Sequence, residues 1–318
     1  MVRVLVVGAG MAGLCAARAL ASTGHEVVVV DKGRGVGGRM ATRRLGEARC
    51  DHGAQFLTAR HPRFHVLRQE AEAAGALASW TEDPEGIDRD GRRWRGSDGM
   101  TAWPKLLREG LDVRTACRVL GLAPAGGHWQ AALEDGSSVE AEAVVLTAPA
   151  PQAVALLEGA TSALRAEAWA ALQAQEYDPC LAVMARLERA SRVPAPGFLE
   201  PEGPALAWVA DNQRKGISPE PCLTLHAPAD FSAAHWEQRE AAQAAMLEAA
   251  AAWIDGEVLE AQVHGWLYAR PRTRLAAEHQ LLATTPCMVY AGDVCGDGRV
   301  EAAASAGWAA ANLVEAWA

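Results

Sequence analysis

The 318-residue chain has few lysines, tyrosines and phenylalanines: three, three and four. Lysine stands only at Lys32, Lys105 and Lys215, and the formal net charge is −9. That balance excludes the basic footprint of a nucleic-acid-binding protein. No apolar run approaches the roughly 18 residues of a transmembrane helix, so no membrane span is expected. The first strand-like run begins at Val2, without the charged lead and apolar core of a signal peptide. The seven cysteines are scattered, with no CxxC pair and no metal-ligand spacing. Reduced thiols, no metal site and a cytoplasmic location are therefore expected.

Half of the residues are hydrophobic, and the length suits two domains with a large core. Eleven tryptophans stand against those few tyrosines and phenylalanines. Most are expected in the core, and some could flank a planar ligand.

The most informative stretch is the first thirty-one residues. An apolar run over residues 2–7 leads to Gly8, Gly10 and Gly13, a helical run follows to Gly24, and a second apolar run ends on Asp31. Strand, GxGxxG turn, helix, strand and terminal acid form the dinucleotide-binding βαβ pattern. Gly8 permits the tight turn, Gly10 admits a pyrophosphate to the backbone, and Gly13 lets the helix pack on the strand. Met11 and Ala12 open the helix, whose free N–H groups and positive dipole end suit phosphates. Asp31 can accept from ribose hydroxyls, which favours FAD or NAD over NADP.

The next loop carries Lys32, Arg34 and Arg39 among Gly33, Gly35, Gly37 and Gly38, and ends on Met40. Glycines allow close backbone approach and the cations suit a pyrophosphate. Further on, Asp51-His52-Gly53-Ala54-Gln55 places small residues where a flat ring could lie, with Gln55 offering donor and acceptor.

These blocks, with Ala291-Gly292-Asp293 and Gly298-Arg299-Val300-Glu301, resemble the flavin-containing amine oxidase superfamily. Within it the chain is most similar to bacterial renalase-like proteins, through residues 31–34, 55–60, 266–271 and 295–301. The resemblance spans nearly the whole chain. It implies an α/β fold: an FAD-binding Rossmann-type domain, glutathione-reductase-like or amine-oxidase-like, with a discontinuous α+β substrate domain. The expected FAD-binding domain is residues 1–60, 97–151 and 281–318, and the substrate domain residues 61–96 and 152–280. By the same likeness Met100 lies on a loop returning to the FAD domain and Val119 meets the adenine. Asp293 binds the ribityl chain, and the helix opening near Arg299 and Val300 points its N–H groups at the flavin. Cys295 lies near that block, but no attachment motif is evident, so FAD is expected to be non-covalent.

The three strand-like runs at residues 113–122, 129–133 and 138–146 read as a small meander. Residues 152–174 and 235–254 read as helices, and residues 80–94 as turns and short strands.

The resemblance implies an FAD-dependent oxidase. Renalase-like enzymes are associated with oxidising isomeric dihydronicotinamides to NAD(P)+, with hydride passing to flavin N5 and oxygen reduced to hydrogen peroxide. Such a reaction demands orientation more than a base. His226, Trp266, Tyr268 and Arg270 are the expected orienters, with Asn212 behind them. An amine oxidase or desaturase is the alternative. It is disfavoured because Lys215 sits in a polar turn, expected to be solvated, and tyrosines for an amine cage are scarce. A non-catalytic FAD-binding redox sensor is a third reading.

Overall fold

The computed structural model describes residues 1–82 and 92–318. The turn read at residues 83–91 lies outside them. The described chain forms two compact units.

The first unit comprises residues 1–38, 104–176 and 271–318. Its six-stranded sheet runs Gln280–Thr284, Cys287–Tyr290, Ala143–Leu146, Arg3–Val7, Glu26–Val30, Asp112–Arg114. The pairings are parallel except at the Gln280–Thr284 edge. Arg3–Val7 lies inside the sheet, and Val4, Leu5 and Val6 have no exposed surface. That accounts for its unbroken apolar run, since parallel strands are covered on both faces. The meander is a separate antiparallel sheet of Val119–Ala125, His128–Leu133 and Ser138–Ala141. Helix Met11–Ser22 packs on the closing helix Val300–Trp317, where a Cβ on Gly307 would strike the Ala12 carbonyl oxygen.

The second unit comprises residues 39–103 and 177–270. Its five-stranded sheet runs Phe198–Leu199, Trp208–Asp211, Cys222–His226, Tyr177–Leu187, Val258–Pro271. Alternate residues Leu181, Val183, Ala185 and Leu187 join Leu223, Leu225 and Met246 in one core. From the opposite face Met184 joins Leu45, Ala48, Cys50 and Cys222 in another. Two hairpins complete the unit, Thr42–Leu45 with Ala48–Asp51 and Leu77–Glu82 with Arg92–Gly96.

The compact units and the expected FAD-binding and substrate domains are divided at different residues, and some expected elements differ. Residues 39–60 and 97–103 cluster with the second unit, and residues 152–176 and 271–280 with the first. The hairpin ending at Asp51 is tied to the strand beginning at Cys222 by the Cys50–Cys222 disulfide, and Asp51 N donates to Asn212 Oδ1. The run at 113–122 divides at Ala116 (φ 52°), leaving Asp112–Arg114 in the parallel sheet. The helix read at 152–174 breaks into Ala150–Leu157, a 3₁₀ turn and Ala166–Gln173. That at 235–254 becomes Arg239–Ala249 and a 3₁₀ turn, preceded by Ala229–Ala234. Alanine keeps helix propensity high across these breaks, so composition does not mark them.

The reduced-thiol expectation fails for two cysteines. Cys50 and Cys222 form a disulfide across 172 residues of sequence, with both side chains buried. Their sequence spacing carries no sign of the pairing, which depends on the hairpin and strand meeting.

The helix contact yields a stability prediction. Gly307→Ala improves helix propensity by about 1 kcal/mol but drives a methyl into the Ala12 carbonyl. We expect a net loss of about 1–3 kcal/mol in urea unfolding, as for other overpacked contacts.

Candidate active site

In the first unit, Gly8 ends the first strand with φ +114°. A Cβ there would strike Thr147 Oγ1, a hydroxyl that donates to the Val7 carbonyl at 3.0 Å. A Cβ on Gly13 would strike the Gly8 carbonyl. Gly10 differs, because nothing lies within 4 Å of the position its Cβ would take. It N-caps helix Met11–Ser22 with no side-chain cap and no acid in the first turn. Met11 and Ala12 are buried at the start of that helix. Two glycines are thus demanded by the protein's own packing, while the third leaves an open approach to uncapped N–H groups. That arrangement fits a dinucleotide pyrophosphate.

Asp31 braces both glycine loops. Its Oδ2 accepts from Ala9 N and its Oδ1 from Gly33 N, each at 2.6 Å. Gly37 N donates to the Ala9 carbonyl, and Gly38 packs on Gly10. Residues 114–117 wrap the same corner through Asp31 N to Arg114 O and Cys117 N to Asp31 O. An ionised carboxylate has about four acceptor sites, so Asp31 retains capacity for ribose hydroxyls.

The other expected contacts of this unit are placed as follows. Lys32 Nζ donates to Gln152 Oε1 at 2.9 Å, and burial followed by the Arg118 charge lowers its pKa. Val119 is buried at the start of the meander. Gly292 leads into the 3₁₀ turn Asp293–Cys295, with the Asp293 side chain buried. Arg299 N-caps Val300–Trp317, but it is exposed and pairs with Asp297 at 3.3 Å.

In the second unit, Arg39 Nη1 donates to the Tyr268 carbonyl at 3.1 Å. Met40 is buried. A Cβ on Gly53 would strike the Arg39 carbonyl oxygen, and Ala54 N donates to that same oxygen at 2.8 Å. Gly53 is therefore held small by the chain's own backbone. Gln55 Nε2 donates to the Asp51 and Gly53 carbonyls, whereas its buried Oε1 has no partner among the described residues. Met100 N donates to Asp51 Oδ1 at 2.8 Å.

The orienter strand places His264, Trp266, Tyr268 and Arg270 on one face, since strand residues alternate. Only part of that face joins a cluster. Trp266 Nε1 donates to the His52 carbonyl at 2.8 Å, and His226 Nε2 approaches the same oxygen at 3.3 Å. The His52 and Trp266 rings stack at 5.2 Å, and His264 meets them edge-on at 4.8 and 4.3 Å. Tyr268 instead packs against Tyr177, and Arg270 lies exposed at the strand's end.

Burial is the main cause that depresses all three histidines. It pushes His52 down to about 3, helped by the neighbouring His264, and His226 and His264 to about 4. His52 Nδ1 is buried with no partner among the described residues. The result is a neutral aromatic cluster.

Behind it, Lys215 departs from expectation. It is not solvated: its side chain has no exposed surface, and Nζ donates to Asp51 Oδ2 at 2.7 Å. Asp51 Oδ1 also accepts from Thr42 Oγ1 at 2.6 Å. Burial lowers the Lys215 pKa, while the Asp51 charge opposes that shift. The turn is pinned by Asp211, whose Oδ1 accepts from Gln213 N and Arg214 N. Asn212 is committed to protein partners too, accepting from Asp51 N and donating to Thr224 Oγ1 and the Cys222 carbonyl. It braces the fold. Sequence reasoning missed His52, His264 and the Asp51–Lys215 pair as site features. The alternation through Trp266 could have found His264, but the others depend on long-range contacts.

A glycine turn fitted to a dinucleotide, on a mostly parallel Rossmann-type sheet, defines the class as a dinucleotide-binding protein. The comparisons give the family. Residues 71–315 match the family described as flavin containing amine oxidoreductase, and residues 6–70 match an NAD(P)-binding Rossmann-like domain. The chain belongs to the flavin-containing amine oxidoreductases and is a flavin-dependent enzyme. It is 26% identical to the renalase of Mus musculus over 92% of this chain and 93% of that protein. A local match to the L-amino acid oxidase of Cerastes cerastes is 57% identical over 42 residues, 13% of this chain and 8% of that protein. Wild-type putrescine oxidase bound to putrescine shares the fold, with TM-score 0.71, 16% identity and 99% coverage of both chains. Among the described residues no helix is long and apolar enough to cross a membrane.

Two measurements check this site. Histidine NMR should show His52, His226 and His264 neutral from pH 8 down to about 5. The unfolded chain binds those protons near 6.5, so between about 6.5 and 4 it holds more protons than the folded one. Stability should therefore fall as pH drops through that window. In chemical denaturation, Lys215→Met should cost about 3–5 kcal/mol, because it strands a buried carboxylate.

Proposed function

We propose that the enzyme binds FAD non-covalently and oxidises a dihydronicotinamide-type substrate, an isomeric form of NAD(P)H, to NAD(P)+. Oxygen is the acceptor, so substrate, oxygen and one proton yield NAD(P)+ and hydrogen peroxide. The flavin, when bound, supplies the two-electron relay between substrate and oxygen. Gly8, Gly10, Gly13 and Asp31 would hold the dinucleotide part, as the open approach at Gly10 supports.

The observation that carries the substrate reading is the neutral cluster of His52, His226, His264 and Trp266. Loss of hydride from a dihydropyridine is driven by aromatisation and needs no strong base, so the chain's main task is orientation. Trp266 and His264 offer ring faces, and the neutral imidazoles offer hydrogen bonds without adding charge beside a ring that becomes cationic. Trp266 is fixed by its bond to the His52 carbonyl. Tyr268 and Arg270 remain orienters in this reading at the far end of the same strand face.

The burial of Lys215 favours the amine-oxidase reading. Its ammonium, however, is committed to Asp51 and lies 4.8 Å from the centre of the Trp80 ring.

The test is anaerobic mixing of the yellow protein with partly isomerised NADH, following the flavin band at about 450 nm. Fast bleaching by the isomers, little by pure NADH, and recovery in air with peroxide formed is the expected result. Bleaching by an amine but not by the isomers would replace this reading with the amine-oxidase one.

A further inference from the structure

Four aromatic side chains of the second unit gather beside the strand that carries His226, with Trp208 opposite His226 in the strand register. Phe198 and Trp208 stack at 4.8 Å, with Phe56 5.8 Å from Trp208 and Trp80 5.1 Å from Phe198. All four are half-buried. The Arg93 guanidinium carbon sits among them, 4.6 Å from the Phe56 ring centre, 4.5 Å from Phe198 and 6.0 Å from Trp208. Its Nη1 is buried with no hydrogen-bond partner among the described residues. No described carboxylate pairs with it.

A buried cationic nitrogen without an acceptor is costly. Ring faces are what compensates it here: their negative quadrupoles attract a cation, more strongly as water is excluded. The Trp208 indole N–H likewise has no acceptor among the described residues. The surroundings suit an organic cation of guanidinium size.

We propose that Phe56, Phe198 and Trp208, flanked by Trp80, form a cation-binding cage that the chain fills with its own Arg93. The internal guanidinium takes the place of an external organic cation. Arg93 thereby acts as a specificity residue, closing to amines the aromatic cage that its removal opens. The inference does not rest on the identity of the oxidised substrate.

The test uses the flavin-loaded Arg93→Ala protein and the probe ethylguanidinium, with neutral ethylurea of similar shape as control. The readouts are tryptophan fluorescence, to which Trp80 and Trp208 contribute, and melting temperature. We expect saturable ethylguanidinium binding to the variant, with Tm raised by a few degrees at about ten times Kd. The wild-type protein should not respond saturably, and ethylurea should have no effect on either. Equal binding by the wild type would show that Arg93 does not fill the cage. Equal response to ethylurea would show a void that is not cation-selective, and either result overturns the proposal, as does no binding to the folded variant. If Arg93→Ala is recovered only unfolded, refolding with ethylguanidinium should restore it where ethylurea does not. Failure of the cation to do so overturns the proposal equally.

Discussion

The second unit depends on one buried ion pair. Asp51 and Lys215 meet at 2.7 Å with no exposed side-chain surface on either. Taking two charges out of water costs several kcal/mol per ion, and only good geometry with further hydrogen bonds offsets it. Asp51 has both. Its carboxylate also accepts from Met100 N and Thr42 Oγ1, while its own N–H reaches Asn212. Three segments far apart in sequence therefore converge on one side chain. The adjacent Cys50–Cys222 disulfide joins the same hairpin to the same sheet. His52 follows Asp51 directly, so the pair also fixes the carbonyl on which Trp266 and His226 converge.

The first unit depends on close backbone approach. Gly8 and Gly13 are small because Thr147 and the Gly8 carbonyl occupy the space a side chain would take. Asp31 ties the two glycine loops through both of its oxygens. Of the three turn glycines only Gly10 stands clear, beside uncapped helical N–H groups. Packing thus holds the turn rigid and leaves one opening for a phosphate, an economical form of preorganisation.

The two units handle charge in different ways. The first keeps uncompensated N–H groups available for an anion. In the second, burial keeps three histidines neutral, Asp51 compensates Lys215, and aromatic faces compensate Arg93. The Trp266 cluster is thereby left aromatic and uncharged. Such surroundings agree with the proposed reaction, which is driven by aromatisation of the substrate and not by proton abstraction.

The sequence alone determined what depends on local pattern. Unbroken apolar runs identified the two strands of the βαβ unit, because both faces of such strands are buried. Glycine spacing and Asp31 identified the dinucleotide turn, because each glycine answers a short-range steric demand. The likeness of four ordered blocks led to the flavin-containing amine oxidoreductases. Only the tertiary structure decided the rest. Lys215 reads as a solvated turn residue, since nothing near it in the chain shows that Asp51, 164 residues away, will receive its charge. Cys50 and Cys222 read as separate thiols for the same reason. At Gly53 the sequence does not show that the Arg39 carbonyl presses on it. Local spacing encodes steric fit and periodicity, whereas the environment of a charge, a thiol or a ring is set by whatever the fold brings beside it.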